Sequence, residues 1–115
     1  MTDCIFCRIA SGDIPATIVK RTDDAVAFRD LDPRAPTHVL VIPAKHLRAV
    51  RDADSDEDRQ LLGRLLAFSA EVASDLGLDD GGYRIVTNTG RDAGQSVDHL
   101  HLHLLGGRRM TWPPG

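Results

Sequence analysis

The chain has 115 residues and a formal net charge of −3, from 14 basic and 17 acidic side chains. This length leaves room for one compact domain, which we expect to span residues 1–115. The acidic balance supplies no general positive field, so nucleic acid and membrane surfaces are not expected partners. The N-terminus lacks a signal-peptide pattern and no apolar run approaches the roughly 20 residues that span a bilayer, which predicts a cytoplasmic protein.

The sequence predicts two helices and about five strands. The short first helix is stopped by Gly12, and the long second helix is capped by Ser55 and Asp58 and stopped by Gly77. Short β-prone runs separated by turn residues predict hairpins, so we expect an α+β fold with an antiparallel sheet. The predicted helices are 4–11 and 55–76, and the predicted strands are 16–20, 25–29, 38–42, 83–88 and 99–105.

Three histidines near the C-terminus, His99, His101 and His103, alternate with leucines. Successive side chains of a strand point to opposite faces, so the leucines should enter the core while the imidazoles form a row on the other face. The row indicates either a metal site or a nucleophilic imidazole supported by the others. Because His99 and His103 would lie about 13 Å apart along a strand, all three cannot readily share one ion.

The residues before the row favour the nucleophile. Gly94, Gln95 and Ser96 offer a flexible backbone, an amide and a hydroxyl, which can hold phosphate oxygens without a large positive field. Asn88, at the end of the preceding predicted strand, adds an amide donor. Imidazole titrates near neutrality and attacks phosphorus to give a labile phosphoramidate, so the sequence predicts phosphoryl chemistry here.

The run His99-Leu100-His101-Leu102-His103-Leu104-Leu105 resembles the motif of the histidine triad family. Residues 30–38 resemble that family's upstream block, and residues 106–115, which end in Met110-Thr111-Trp112-Pro113-Pro114-Gly115, resemble the tail of its nucleotide-binding phosphoramidase branch. The resemblance covers nearly the whole chain. It implies a histidine triad fold, usually a homodimer, and a purine nucleotide-binding hydrolase or transferase that acts at the α-phosphate.

The resemblance also implies roles for the histidines. His101 matches the nucleophile that takes the nucleotidyl group, and His103 would contact the phosphate or the departing group. His38 and His99 would support the row from behind. The implied reaction is hydrolysis of purine nucleoside 5′-monophosphoramidates through a nucleotidyl-histidine, with no cofactor required for the chemistry. A dinucleoside polyphosphate hydrolase and a nucleotide-binding regulator with little turnover remain alternatives.

Further residues match the nucleotide-binding positions of the family. Asp30 matches the carboxylate that binds ribose, a role that suits the chemistry because a carboxylate can accept from both hydroxyls. Leu31 matches the neighbour of this carboxylate, and Trp112 matches the leaving-group side. The apolar slot around the base is matched by Ile5, Phe6, Ile9 and Phe28. The phosphate side is matched by Asn88, Gln95 and Ser96.

Cys4 and Cys7 are the only cysteines and form a Cys-x-x-Cys pair. In a reducing compartment such a pair is more often half of a metal site or a redox pair than a structural disulfide. His46 and His99 would complete a Cys₂His₂ zinc site, an arrangement that holds zinc in some similar bacterial members of the histidine triad family. Such a zinc would be structural because four protein ligands leave no open position. The alternative is a pair of buried thiols on the first helix.

Overall fold

The computed structural model describes residues 3–115 and contains one antiparallel sheet. The strands lie in the order β1-β2-β3-β5-β4, and every neighbouring pair is antiparallel. The predicted α+β class, with five strands, one short helix and one long helix, is therefore confirmed. The elements are α1 (Ile5–Ser11), β1 (Ile18–Arg21), β2 (Ala25–Arg29), β3 (Thr37–Pro43), α2 (Asp56–Asp75), β4 (Tyr83–Val86) and β5 (Leu102–Gly106).

Both helices begin and end close to the predicted residues. Cys4 caps α1, since its Sγ accepts a hydrogen bond from the backbone N–H of Cys7 at 3.3 Å. Gly12 ends α1 at a φ of 86°, which a residue with a Cβ rarely adopts. Ser55 caps α2 by accepting from the backbone N–H of Asp58. Among residues 3–115, no helix combines the length and the apolar character that crossing a membrane requires.

The two faces of the sheet bury different sets of side chains. One face carries the core packed against α2, in which Leu65 and Phe68 meet Val39 and Leu104. The opposite face packs against α1, and its smaller cluster consists of Phe6, Ile9, Val26, Phe28, Leu40 and Ile42. Leu100, Leu102 and Leu104 of the histidine-leucine run lie in the α2 core, as the alternation predicts. The imidazoles of His99, His101 and His103 therefore lie on the α1 side of the sheet.

Three strands begin or end two or three residues from the predicted positions, and the other strand ends agree to within one residue. The first strand lies at Ile18–Arg21, two residues later than predicted at its start, and β4 ends at Val86, two residues early. The predicted strand 99–105 pairs only from Leu102 onward. Before that point the N–H of Leu100 donates to the carbonyl of Leu47 at 2.6 Å, in place of a ladder bond. Hydrogen bonds from a loop and from side chains thus replace strand pairing at the start of the histidine run.

Candidate functional site

A cleft of about 300 Å³ opens beside α1 on the α1 face of the sheet. Its wall is mostly apolar, and Asp30 and Ser96 supply polar groups. Leu31 also borders the cleft and is fully exposed. Seven residues that the sequence predicted for nucleotide binding are brought together here, namely Ile5, Phe6, Ile9, Phe28, Asp30, Leu31 and Ser96. Ile14, Leu40 and Val97 also line it and were not predicted.

Phe6 connects the cleft to the histidine row. Its ring centroid lies 5.6 Å from that of Phe28, 5.2 Å from that of His101 and 5.9 Å from that of His99, each in an edge-to-face arrangement. Such arrangements are favourable beyond the area they bury. Since Phe6 belongs to α1, the position of this helix sets one wall of the cleft and one side of the His101 ring.

The hydrogen bond of His101 fixes which nitrogen is available for attack. Its Nδ1 lies 2.7 Å from the backbone carbonyl oxygen of His99. A carbonyl only accepts, so Nδ1 carries the proton, and the neutral ring has its lone pair on Nε2. Thr87 secures the same segment, because its hydroxyl donates to the carbonyl of His101 at 2.9 Å. The geometry therefore fixes the orientation and the tautomer of the His101 ring, whose Nε2 carries the lone pair.

His38 and His103 form a second oriented pair. The backbone N–H of Arg34 donates to Nδ1 of His38 at 3.0 Å, so neutral His38 carries its proton on Nε2. This Nε2 lies 2.9 Å from Nδ1 of His103 and 3.4 Å from Oδ2 of Asp30. With Nδ1 of His103 as the acceptor, its proton is on Nε2. The His103 ring lies 5.1 Å from that of His101, so the N–H donor of His103 belongs to a ring next to His101.

Burial lowers the pKa values of three imidazoles, those of His38, His99 and His103, below the usual value of about 6.5. Desolvation is the main cause for His38, His99 and His103 alike. The neighbouring rings of His101 and His38 lower the pKa of His103 further, whereas the Asp30 carboxylate raises it. Neutral His38, His99 and His103 rings at pH 7 are consistent with the hydrogen bonds that these three residues make.

The polar residues that were predicted to contact phosphate, Asn88, Gln95 and Ser96, have different surroundings. Ser96 lines the cleft, and Asn88 is half-buried two residues after β4. The Gln95 side chain bonds within the protein: Oε1 accepts from the N–H of Gly90, and Nε2 donates to the carbonyls of Arg48 and Val97. In this arrangement Gln95 holds the loop in shape and offers no spare amide donor to a phosphate.

A second cluster lies at the start of α1, and we call Cys4, Cys7, His46 and His99 the Cys₂His₂ cluster. Their ligand atoms all lie within 4.8 Å of one another. Nδ1 of His99 is 3.1 Å from Nδ1 of His46 and 3.4 Å from Sγ of Cys7. Zinc bonds of about 2.0–2.3 Å in tetrahedral geometry separate the ligand atoms by about 3.3–3.8 Å, so the four residues fit zinc.

The hydrogen bond of Nε2 of His99 supports Nδ1 as the metal-binding atom of this residue. Nε2 lies 2.9 Å from the backbone carbonyl oxygen of Pro43, so the proton is on Nε2 and the lone pair of Nδ1 faces the cysteines. Metal-bound histidines typically donate their other ring N–H to such a group. His99 therefore contributes its side chain to the Cys₂His₂ cluster and its carbonyl to His101. The structure places His99 and His103 in separate clusters.

Trp112 is the predicted site residue on the C-terminal tail. Its side chain is 83% exposed and is not part of the cleft wall. The tail is tied to β4, because the Arg84 guanidinium donates to the carbonyl of Thr111 at 3.0 Å. Within this chain, Thr111 is thus joined to the edge strand β4.

Three residues that support the site were not predicted from the sequence. Thr87 holds the His101 backbone, and the backbone groups of Arg34 and Pro43 fix the tautomers of His38 and His99. The backbone contacts leave no signal in residue identity. Of the three residues, only Thr87 could have been found from the sequence, since it adjoins Asn88 at the end of a predicted strand.

The comparisons with known proteins agree with this geometry. The HIT domain family matches residues 11–110. An uncharacterized HIT-like protein of Synechocystis sp. is 51% identical over 113 residues, which are 98% of this chain and 97% of that protein. The crystal structure of a HIT family hydrolase from Legionella pneumophila superposes with a TM-score of 0.94 at 50% identity, covering 98% of this chain and 100% of the other.

A histidine triad nucleotide-binding protein from Candida albicans is more distant. Its crystal structure gives a TM-score of 0.81 at 33% identity and covers 96% of this chain and 83% of the other. The fold, the alternating histidines and these matches together establish that the chain belongs to the HIT domain family, as its resemblance to the histidine triad family predicted.

Proposed function

We propose that this protein is a nucleotide-binding phosphoramidase of the HIT family, which hydrolyses purine nucleoside 5′-monophosphoramidates. The observation that carries the proposal is the hydrogen bond from Nδ1 of His101 to the carbonyl of His99 at 2.7 Å. It leaves Nε2 with the lone pair that attack on phosphorus requires. The similar proteins described as a HIT family hydrolase and a nucleotide-binding protein support the class of reaction and of ligand.

The proposed reaction has two displacements at the α-phosphorus. Nε2 of His101 attacks, the phosphorus–nitrogen bond of the substrate breaks, and the amine leaves with the bonding pair and a proton from water. The imidazolium formed is stabilised through its Nδ1–H and the His99 carbonyl. His103, in its neutral form, donates from Nε2 to a phosphate oxygen. Water then attacks phosphorus, releases the nucleoside monophosphate and a proton, and restores His101.

The cleft supports a nucleoside as the bound group. Phe6 and Phe28 offer aromatic edges and faces to a base, and the apolar wall extends beyond them. Asp30 lies at the polar end, where a carboxylate can accept from two ribose hydroxyls. Its Oδ1 already accepts from the N–H of Asp32 at 2.7 Å, which holds the carboxylate in place and leaves further lone pairs for ribose.

Zinc at the Cys₂His₂ cluster is part of the proposal. Two sulfur and two imidazole ligands are a set typical of structural zinc, and the His99–Pro43 hydrogen bond supplies the expected orientation of one ligand. Four protein ligands leave no position for substrate, so zinc would hold α1 to the segments that carry His46 and His99. The chemistry stays with His101.

A homodimer is also proposed. Among the described strands β4 pairs only with β5, which leaves one edge of Tyr83–Val86 open. An open edge is a surface on which a second copy can extend the sheet. The Arg84–Thr111 hydrogen bond ties the tail to this strand, so the exposed Trp112 would lie near the second copy.

Side-by-side kinetics test the proposed function. The substrates are an adenosine phosphoramidate, a guanosine phosphoramidate and a diadenosine polyphosphate, each assayed with wild-type protein. We expect the phosphoramidates to give kcat/KM at least about tenfold above the polyphosphate, a difference of about 1.4 kcal/mol in transition-state binding. A preference for the polyphosphate would favour the hydrolase of dinucleoside polyphosphates. Tight nucleotide binding without turnover would favour a regulator.

A further inference from the structure

We infer that metal binding at the Cys₂His₂ cluster and nucleotide binding in the cleft strengthen each other, and that Phe6 is the positioning residue that links them. The nucleotide part of this inference rests on the proposed function. Two physical connections lead from the cluster to the cleft, one through the His99 backbone and one through α1.

The first connection is the His99 residue itself. Its Nδ1 belongs to the Cys₂His₂ cluster, while its carbonyl oxygen accepts from Nδ1 of His101 at 2.7 Å. His99 is completely buried, so a change in its ring position moves its backbone or distorts its packing. A metal that fixes the ring of His99 therefore also fixes the acceptor that orients His101.

The second connection is α1. Cys4 and Cys7 lie on either side of Phe6, and all three are within or directly before one short helix. A helix of seven residues is not stable by itself, so its position depends on the groups that hold it. The sulfur atoms contact His99 and His46 at 3.3 and 3.2 Å, whereas Phe6 packs on His101 and Phe28.

A bound nucleotide needs the same placement of α1. Ile5, Phe6 and Ile9 form one wall of the cleft, so a base gains contacts only when the helix lies against the sheet. A metal that joins α1 to His46 and His99 selects that placement before the nucleotide arrives. Two ligands that favour the same conformation bind with positive coupling, and the coupling is reciprocal.

The first test is a thermodynamic square on the wild-type protein. Zinc affinity is measured by competition with a chromophoric chelator, with and without saturating adenosine monophosphate. The Kd of adenosine monophosphate is measured by calorimetry on the zinc-loaded and the chelated protein. We expect each ligand to tighten the other by about tenfold, by equal factors. The inference would be overturned if neither ligand changed the affinity of the other, or if the protein bound no zinc.

The second test asks whether Phe6 is the link. Phe6→Leu is compared with Phe68→Leu, a matched substitution of a buried phenylalanine in the α2 core on the opposite face. We expect Phe6→Leu to reduce the coupling to about threefold or less while the zinc Kd without nucleotide changes by less than about threefold. Phe68→Leu should keep the full coupling. Full coupling in Phe6→Leu would remove Phe6 from its assigned role.

The third test needs no nucleotide and therefore separates this inference from the proposed function. The Nδ1–H proton of His101 is followed by NMR in zinc-loaded and chelated protein. Zinc should slow its exchange with water by about tenfold, since it fixes the His99 carbonyl that accepts this proton. An unchanged exchange rate would contradict the positioning of His101 by the cluster. Slower exchange with zinc but no nucleotide binding in either state would contradict the proposed function and the coupling to nucleotide, and would leave only the positioning of His101 by the cluster.

Discussion

Nε2 of His38 lies 2.9 Å from Nδ1 of His103, although 65 positions separate the two residues in the chain. The pairing of β3 with β5 explains this contact. Leu40 lies opposite His103 and His38 lies opposite Leu105, so the two histidines are diagonal neighbours on one face of the sheet. The orientation of His103 therefore depends on a residue of a different strand.

His38→Ala tests this dependence. Without the His38 donor, the His103 ring loses the contact that fixes its tautomer, and we expect kcat to fall by about 10- to 100-fold. The Kd of a nucleoside monophosphate should change by less than about tenfold.

Val39→Ala is the control, because Val39 adjoins His38 but is buried on the α2 face. It should lower the free energy of unfolding by about 1–3 kcal/mol and leave kcat within about threefold. Equal loss of kcat in both variants would contradict the orienting role of His38.

The alternation of histidine with leucine was sufficient to predict which side chains enter the core. Leu100, Leu102 and Leu104 are buried against α2, as a period of two requires. The sequence did not show which imidazole contacts which group. That depends on strand register and on backbone carbonyls, such as the one of Pro43 that orients His99.

Gln95 shows a second limit of the sequence. An amide beside a glycine and a serine is suited to phosphate, and the resemblance implied that role. In the fold, the same amide satisfies the backbone groups of Gly90, Arg48 and Val97. Side-chain chemistry alone does not distinguish a ligand contact from an internal one, because both use the same donors.

A pH titration of His38 and His103 tests the electrostatics of the site. Burial lowers both pKa values, so both rings should titrate below about pH 6.5, observed through their C2–H resonances. The unfolded chain takes up these protons first as pH falls, so the free energy of unfolding should decrease below about pH 6.5.

The effect of the Asp30 carboxylate on these pKa values is tested by comparing Asp30→Asn with Asp75→Asn. The Asp30 carboxylate raises the pKa of His38 and of His103, so its neutralisation should lower both values further. Asp75 pairs with Lys20 and removes the same formal charge when it is neutralised, but it should leave both values unchanged. Titration above pH 6.5, or a rise in Asp30→Asn, would contradict this account.

Metal analysis tests the Cys₂His₂ cluster. Protein purified without chelator should carry about one zinc per chain, and Cys7→Ser should lose most of it because one of four ligands is gone. Ser11→Ala is the control on the same helix, since the Ser11 hydroxyl donates to the carbonyl of Arg8 and Ser11 is not one of the four cluster residues. Chelation should lower the melting temperature of the wild type. A metal-free protein with full activity and unchanged stability would reject the site.

Truncation of residues 112–115 tests the tail. If Trp112 contributes to the leaving-group side, its loss should alter the ranking of several amine leaving groups more than the Kd of the nucleoside monophosphate. Sedimentation of the full-length and the truncated chains follows the oligomeric state. An unchanged ranking would show that the tail does not select substrates, and a monomer at micromolar concentration would reject the dimer.

The most direct test of the nucleotidyl-histidine is to trap it. Wild-type protein is mixed with an adenosine phosphoramidate, quenched within a single turnover and digested, and the peptides are analysed by mass spectrometry. We expect an adenylyl group on His101 alone, and in His101→Ala no adduct and a loss of turnover of at least about a thousandfold, with monophosphate affinity within about tenfold. Substantial turnover in His101→Ala, or an adduct on His103, would contradict the assignment of His101 as the nucleophile.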